Sequence, residues 1–243
     1  MAGRTRNGMK TLPMVLLKNR EEFWSRAEAQ DLRWSELPSL VVFIGLACAL
    51  YGSVLAGWRS PRLALYVAAK LPLLFLGTAA FVAVFNWMVA ALLGSGLSFK
   101  STVFAVFAAM AIGGWILLAL VPVAFFFLST GLAYAGTPAE LRFAHNSILM
   151  THVVLLACAG LLGHLAPLQG LRRLVRPRCP LAGLFGAWLA AFALVGCQLS
   201  WILRPFVGSP FYPVVFFRPD AFERNFYEFV FTEVLPFLLT GGT

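Results

Sequence analysis

Five stretches of about twenty or more apolar residues, nearly free of charge, decide what this chain can fold into. Helix across a bilayer core of about 30 Å takes about 20 apolar residues, because hydrocarbon leaves every backbone polar group to be paired within the segment. The stretches are residues 39–58, 63–93, 99–128, about 147–166, and 181–203. Of the 243 residues 60% are hydrophobic and 12% charged, with a mean hydropathy of +0.82. A soluble domain carries about 25% charged residues. The predicted class is an all-α polytopic membrane protein with five transmembrane helices, an extra interfacial helix and a C-terminal aromatic tail. The same numbers exclude a disordered chain and a nucleic-acid-binding domain, and four cysteines make no disulfide framework. A formal net charge of +9 is assigned to topology and anionic lipid.

The second stretch, at about 46 Å of helix, exceeds one span. Pro72, which removes a backbone donor, is where the pattern divides it, into a shallow helix from Pro61 to about Lys70 and a span from Pro72 to Leu93. Ser60-Pro61 and Thr137-Pro138 each place a capping hydroxyl before proline at the first helical position. Thr137-Pro-Ala-Glu140 is also a capping box, which predicts that the fourth helix starts near Pro138. Gly94-Ser95-Gly96 reads as a tight turn and Ser98 as the cap of the third span.

Basic residues orient the bundle. Twelve fall on the side holding the N-terminal segment and the 172–178 loop, against seven on the other. This predicts a multi-pass cell inner-membrane protein with a cytoplasmic N-terminus and an extracytoplasmic C-terminus. No cleavable signal peptide is expected, since the first apolar run follows 38 polar, mixed-charge residues. Residues 1–38 form the cytoplasmic segment, 39–204 the bundle and 205–243 the tail.

In the N-terminal segment Phe23, Ala27, Gln30, Trp34 and Leu37 recur at helical spacing, which predicts a helix on the cytoplasmic leaflet; residues up to about Thr11 read as disordered. After Leu203, Pro205, Pro210, Pro213 and Pro219 exclude regular helix while aromatics accumulate. Asp220-Ala-Phe-Glu223 then predicts a capped helix running to about Leu235, with Phe222, Phe226, Phe229 and Val230 as its apolar stripe. Small residues recur every four positions at Gly45, Ala49, Ser53 and Gly57, at Ala105, Ala109 and Gly113, and at Ala182, Gly186 and Ala190, a spacing that lets helix backbones approach.

Ionisable groups within membrane segments are candidate sites. Lys70 falls with Arg142, His145, Asn146, Gln198 and Arg204 at the outer boundary, where the tail adds Asp220, Glu223, Glu228 and Glu233. This set is expected to seat the tail or to bind an anionic headgroup or solute. Pro205, Phe206, Phe211, Tyr212, Phe216 and Phe217 are the candidate partner interface. Asn86 reads as glue between helices. No metal site or cofactor is expected: His145 and His152 lie about 10.5 Å apart along one helix, too far to share an ion. No phosphate loop, His-Glu-x-x-His or nucleophile elbow occurs, so no catalytic residues are assigned.

Leu50-Tyr-Gly52, Ala69-Lys-Leu-Pro-Leu-Leu-Phe75 with Thr78, Phe85-Asn86, Pro122-Val-Ala-Phe-Phe126 and Gln198-Leu-Ser-Trp-Ile-Leu-Arg-Pro-Phe-Val-Gly-Ser-Pro210, with Phe217-Arg218 and Asn225-Phe-Tyr227, resemble a bacterial group of polytopic membrane proteins that looks like a distant branch of the Yip family. The resemblance implies five spans and a cytoplasmic N-terminus. The functional expectation is a non-enzymatic scaffold or accessory subunit of a membrane complex, with the bilayer and a membrane-protein partner or a second copy as partners and no nucleic acid. The alternative is a channel or transporter for lipid or small solute, with a polar path at Lys70 and Arg204 that includes Asn86, His145 and Gln198.

Overall fold

The computed structural model describes residues 11–129, 137–209 and 211–235. Two short helices, α1 (Leu12–Lys18) and α2 (Arg20–Glu28), lead through a 3-10 turn (Trp34–Glu36) into α3 (Leu37–Gly57) and α4 (Pro61–Leu92). There follow α5 (Phe99–Ser129), α6 (Pro138–Leu165), α7 (Leu168–Leu174), α8 (Leu181–Leu203) and a tail ending in α9 (Phe226–Phe229) and a π turn (Val230–Val234). The chain is an all-α polytopic membrane protein: five of these helices are long and apolar enough to cross a bilayer. Capping follows the local sequence. The Ser60 hydroxyl accepts from Leu63 N at 3.1 Å, Thr137 and Glu140 close their reciprocal box, and Ser98 accepts from Ser101 N at 3.1 Å.

Helix α5 is the axis. In its most apolar window 72% of residues are buried, against 22 to 44% in the other four spans. Its Ala105, Ala109 and Gly113 face α6, where a Cβ on Gly163 would stand 2.9 Å from the Ala109 carbonyl oxygen. Gly45 and Gly186, in the other two small-residue stripes, have no such close neighbour among the described residues. Nothing lies within 4 Å of a Cβ built on Gly45 or Gly186, and Ala182, Gly186 and Ala190 are exposed. The close contact of α3 is one register away, at Gly52, whose added Cβ would meet the Val67 carbonyl oxygen at 2.7 Å.

The division of the second stretch at Pro72 is corrected: α4 is one helix of 32 residues, about 48 Å long. A proline frees a single carbonyl one turn back, and membrane helices tolerate that where neighbours flank the break. Here α3 and α8 do so, leaving Lys70 and Leu71 buried. The extra length is taken up by stagger. Helix α8 pairs with the later part of α4, Leu199 beside Gly77, Gly196 beside Thr78 and the Trp188 indole donating to the Asn86 carbonyl at 3.1 Å. Extending that register, α8 ends level with Lys70, and the first turns of α4 stand beyond it as a wall.

The N-terminal helix is likewise corrected. Asn19 ends α1 and caps α2, and Gln30 turns the chain with φ at 57°, so the stripe from Phe23 to Leu37 is not one helical face. Nor do these helices lie flat beneath the bundle. Leu12, Val15 and Leu16 are buried, and the Trp115 indole, about 24 Å along α5, donates to the Pro13 carbonyl at 3.0 Å. The segment returns along α5 to Gln30, whose amide donates to Ser101 Oγ at 3.0 Å. The disorder expected up to about Thr11 falls, but for Thr11 itself, the N-cap of α1, outside the described residues.

Candidate functional site: the cap at the α4–α8 end

Where α8 stops, the tail climbs the wall made by the first turns of α4. The Lys70 ammonium donates to the Pro205 carbonyl at 3.1 Å, the Trp58 indole to the Val207 carbonyl at 2.9 Å and Arg59 Nε to the Ser209 carbonyl at 3.2 Å. An irregular, proline-bearing segment has carbonyls that no helix satisfies, and cations and indoles at the ends of spans supply the donors. Between them Gly208 adopts φ of 72°, a backbone conformation that calls for glycine, and a Cβ there would also press on Leu63 Cδ2 at 2.5 Å.

Arg204 closes the next turn. Its guanidinium lies 3.7 Å over the Trp201 ring, and its Nη2 donates to Asp220 Oδ2 at 2.9 Å. Burial raises the Asp220 pKa, but the hydrogen bond from Arg204 and the charges of Arg204 and Arg218 outweigh it and hold the carboxyl below its ordinary range. Asp220 is therefore an anchor for Arg204 and not the helix cap expected of it. That role belongs to Asn225, whose side chain accepts from Glu228 N at 2.8 Å; Phe222 is off the helix and 78% exposed. The short helix is held by Gln198, which accepts from Phe226 N at 3.1 Å, by the Trp201 indole donating to the Arg224 carbonyl at 2.7 Å, and by the Tyr227 hydroxyl donating to the Leu194 carbonyl.

Lys70, Gln198 and Arg204 thus meet the tail, as does Arg142, whose guanidinium sits 5.5 Å over Phe211. His145 lies 6.0 Å from the Trp58 ring, while Asn146 is exposed and makes no tail contact among the described residues. Glu223 is exposed beside Gln198, Arg224 and Glu228 in a small polar recess, and the Glu233 side chain lies outside the described residues. Of the six aromatic and proline positions, Pro205, Phe206 and Phe216 pack on this chain's own bundle, Phe216 with its ring 4.9 Å from the Lys70 ammonium and 5.3 Å from Tyr66. Phe211, Tyr212 and Phe217 are 46 to 64% exposed. Asn86 stands 16 residues from Lys70, about 24 Å along the helix. Its carbonyl, and not its side chain, bonds the neighbouring helix; the buried amide has no hydrogen-bond partner among the described residues.

A cavity of about 400 Å³ opens between the α4 wall and the tail, lined by Leu63, Pro205, Gly208 and the 212–215 strip, with Arg218 and Asp220 at its polar side. Arg218 and Asp220 are not legible in the sequence as a cavity pair, because a proline-rich segment has no periodicity from which to read a facing. The pairing of Trp and Arg residues at the span ends is the one signal that points there. Among the described residues no three His, Cys, Asp or Glu side chains gather to hold a metal ion. The chain matches no family model, no curated protein and no solved structure.

Proposed function

We propose that this protein is a non-enzymatic scaffold or accessory subunit of a membrane-protein complex, which presents the exposed face of its cap to another membrane protein. The observation that carries the reading is the way the tail is held. Donors from α3, α4 and α8 fix its backbone, so that Phe211, Tyr212 and Phe217 stand on a fixed platform instead of a free tail. Rigid aromatic groups give contact area at little cost in conformational freedom, and they are enriched at interfaces. On this reading the protein sits in a bacterial inner membrane with the N-terminus cytoplasmic and the cap outside, as the distribution of basic residues argues. The segment through Arg204 and Pro205, on which the Yip resemblance chiefly rests, is then the element that seats the platform.

A photocrosslinking residue at Phe217, which lies outside the cavity lining, followed by purification in mild detergent, tests this. A discrete protein adduct is expected at Phe217, with none at Val153, which is similarly exposed on the apolar flank of α6, at 51% against 46%. Adducts confined to lipid at both positions would refute the reading.

A further inference from the structure

The charges around the cap cavity do not balance. Arg218 and Asp220 stand in its wall, Arg204 is bonded to Asp220, and Lys70 lies behind the wall under Pro205. Asp220 is the one carboxylate among these four groups, and it is shared between two guanidinium groups. Lys70 is 0% exposed and has a carbonyl and an aromatic face for company, with no carboxylate paired to it among the described residues. A buried ammonium without a counter-charge is expensive and in a membrane helix is a functional candidate by default. Beside this positive wall the cavity is apolar, through Leu63, Pro213, Val214 and Val215. Its volume suits a small organic anion and not a bare ion alone.

We propose that the cap cavity binds a phosphate group, held by Arg218 in its wall and drawn by the field of Lys70 and Arg204, with Leu63, Val214 and Val215 receiving the apolar part of the molecule that carries it. Arginine suits phosphate because its planar fork offers parallel charge-assisted hydrogen bonds. Two sources share this chemistry: the phosphodiester of an anionic phospholipid, and free phosphate. The apolar half of the wall favours the lipid.

The full-length protein in detergent is titrated with short-chain phosphatidylglycerol, short-chain phosphatidylcholine and inorganic phosphate, with binding read as a saturable shift of the thermal midpoint. Saturation by phosphatidylglycerol, with phosphatidylcholine weaker and phosphate weaker still, identifies a lipid headgroup. Saturation by inorganic phosphate, equal to or tighter than the lipid, identifies a free phosphate and equally supports the site. Arg218→Gln is expected to weaken the binding about tenfold or more, since one charge-assisted hydrogen bond is worth about 1.5–3 kcal/mol. Lys70→Met is expected to weaken it as well. Arg62→Gln removes a cation four residues from Tyr66 on the exposed face of the same helix and controls for net charge. If Arg62→Gln weakens binding as much as Arg218→Gln, or if none of the three ligands saturates, the site does not exist. Neither outcome bears on the Phe217 crosslink, since Phe217 does not line the cavity, so this inference and the scaffold reading fail separately.

Discussion

Single residues in this bundle carry unequal amounts of its specification. Asn86 is fully buried, and neither its amide nitrogen nor its oxygen is hydrogen-bonded among the described residues. A buried polar group left unpaired costs about 1–3 kcal/mol, and an apolar side chain of similar volume removes that cost. Asn86→Leu is therefore expected to raise stability by about 1 kcal/mol in a detergent unfolding assay, and a loss of stability would show that the amide has a role in the folded protein. Glycines divide in the same way. Gly52→Leu is expected to separate α3 from α4 and abolish the folded monodisperse species by size exclusion, because its Cβ already meets a backbone oxygen. Gly45→Leu, in open space seven residues earlier, should leave the profile unchanged. Both glycines read alike as letters at helical spacing, and only the neighbouring backbone tells them apart.

At the scale of elements the cap is the part most sensitive to conditions. The Asp220 carboxyl has an ordinary pKa of 3.8 and a lower one in the folded protein. A depressed acid stabilises the fold above its unfolded pKa and ceases to do so as pH falls through the folded value. Hydrogen exchange over residues 220–229 is accordingly expected to stay slow down to about pH 4 and to quicken below it. In Asp220→Asn it should be fast across the whole range. Unchanged exchange in that variant would mean that Trp201, Gln198 and Tyr227 hold the segment without the ion pair. The helix ends were legible, since Ser60, Ser98, Thr137 and the 94–96 turn act through neighbours three residues away. The N-terminal helix was not. Its apolar residues follow helical spacing, but Gln30 turns the backbone between them, and the partners they pack on, α5 and α7, lie far along the chain.

For the whole molecule, the proposed topology of five spans is expected to put the two ends on opposite faces of the membrane. A reporter enzyme active only outside the cytoplasm should work when fused after Thr243 and stay silent when fused before Met1. The reverse pattern would invert the orientation without altering the bundle. The number of apolar spans and the all-α class followed from sequence alone, because hydrocarbon demands about 20 apolar residues per crossing whatever the neighbours are. Tertiary structure decided the rest. It decided that α4 runs unbroken through Pro72, that α5 is the axis, and that Lys70 lies under the tail of its own chain beside a cavity. Each of these depends on how far one helix is displaced along another. That displacement is set by which small and large side chains meet across an interface, a property of pairs of segments that no single segment carries in its own sequence.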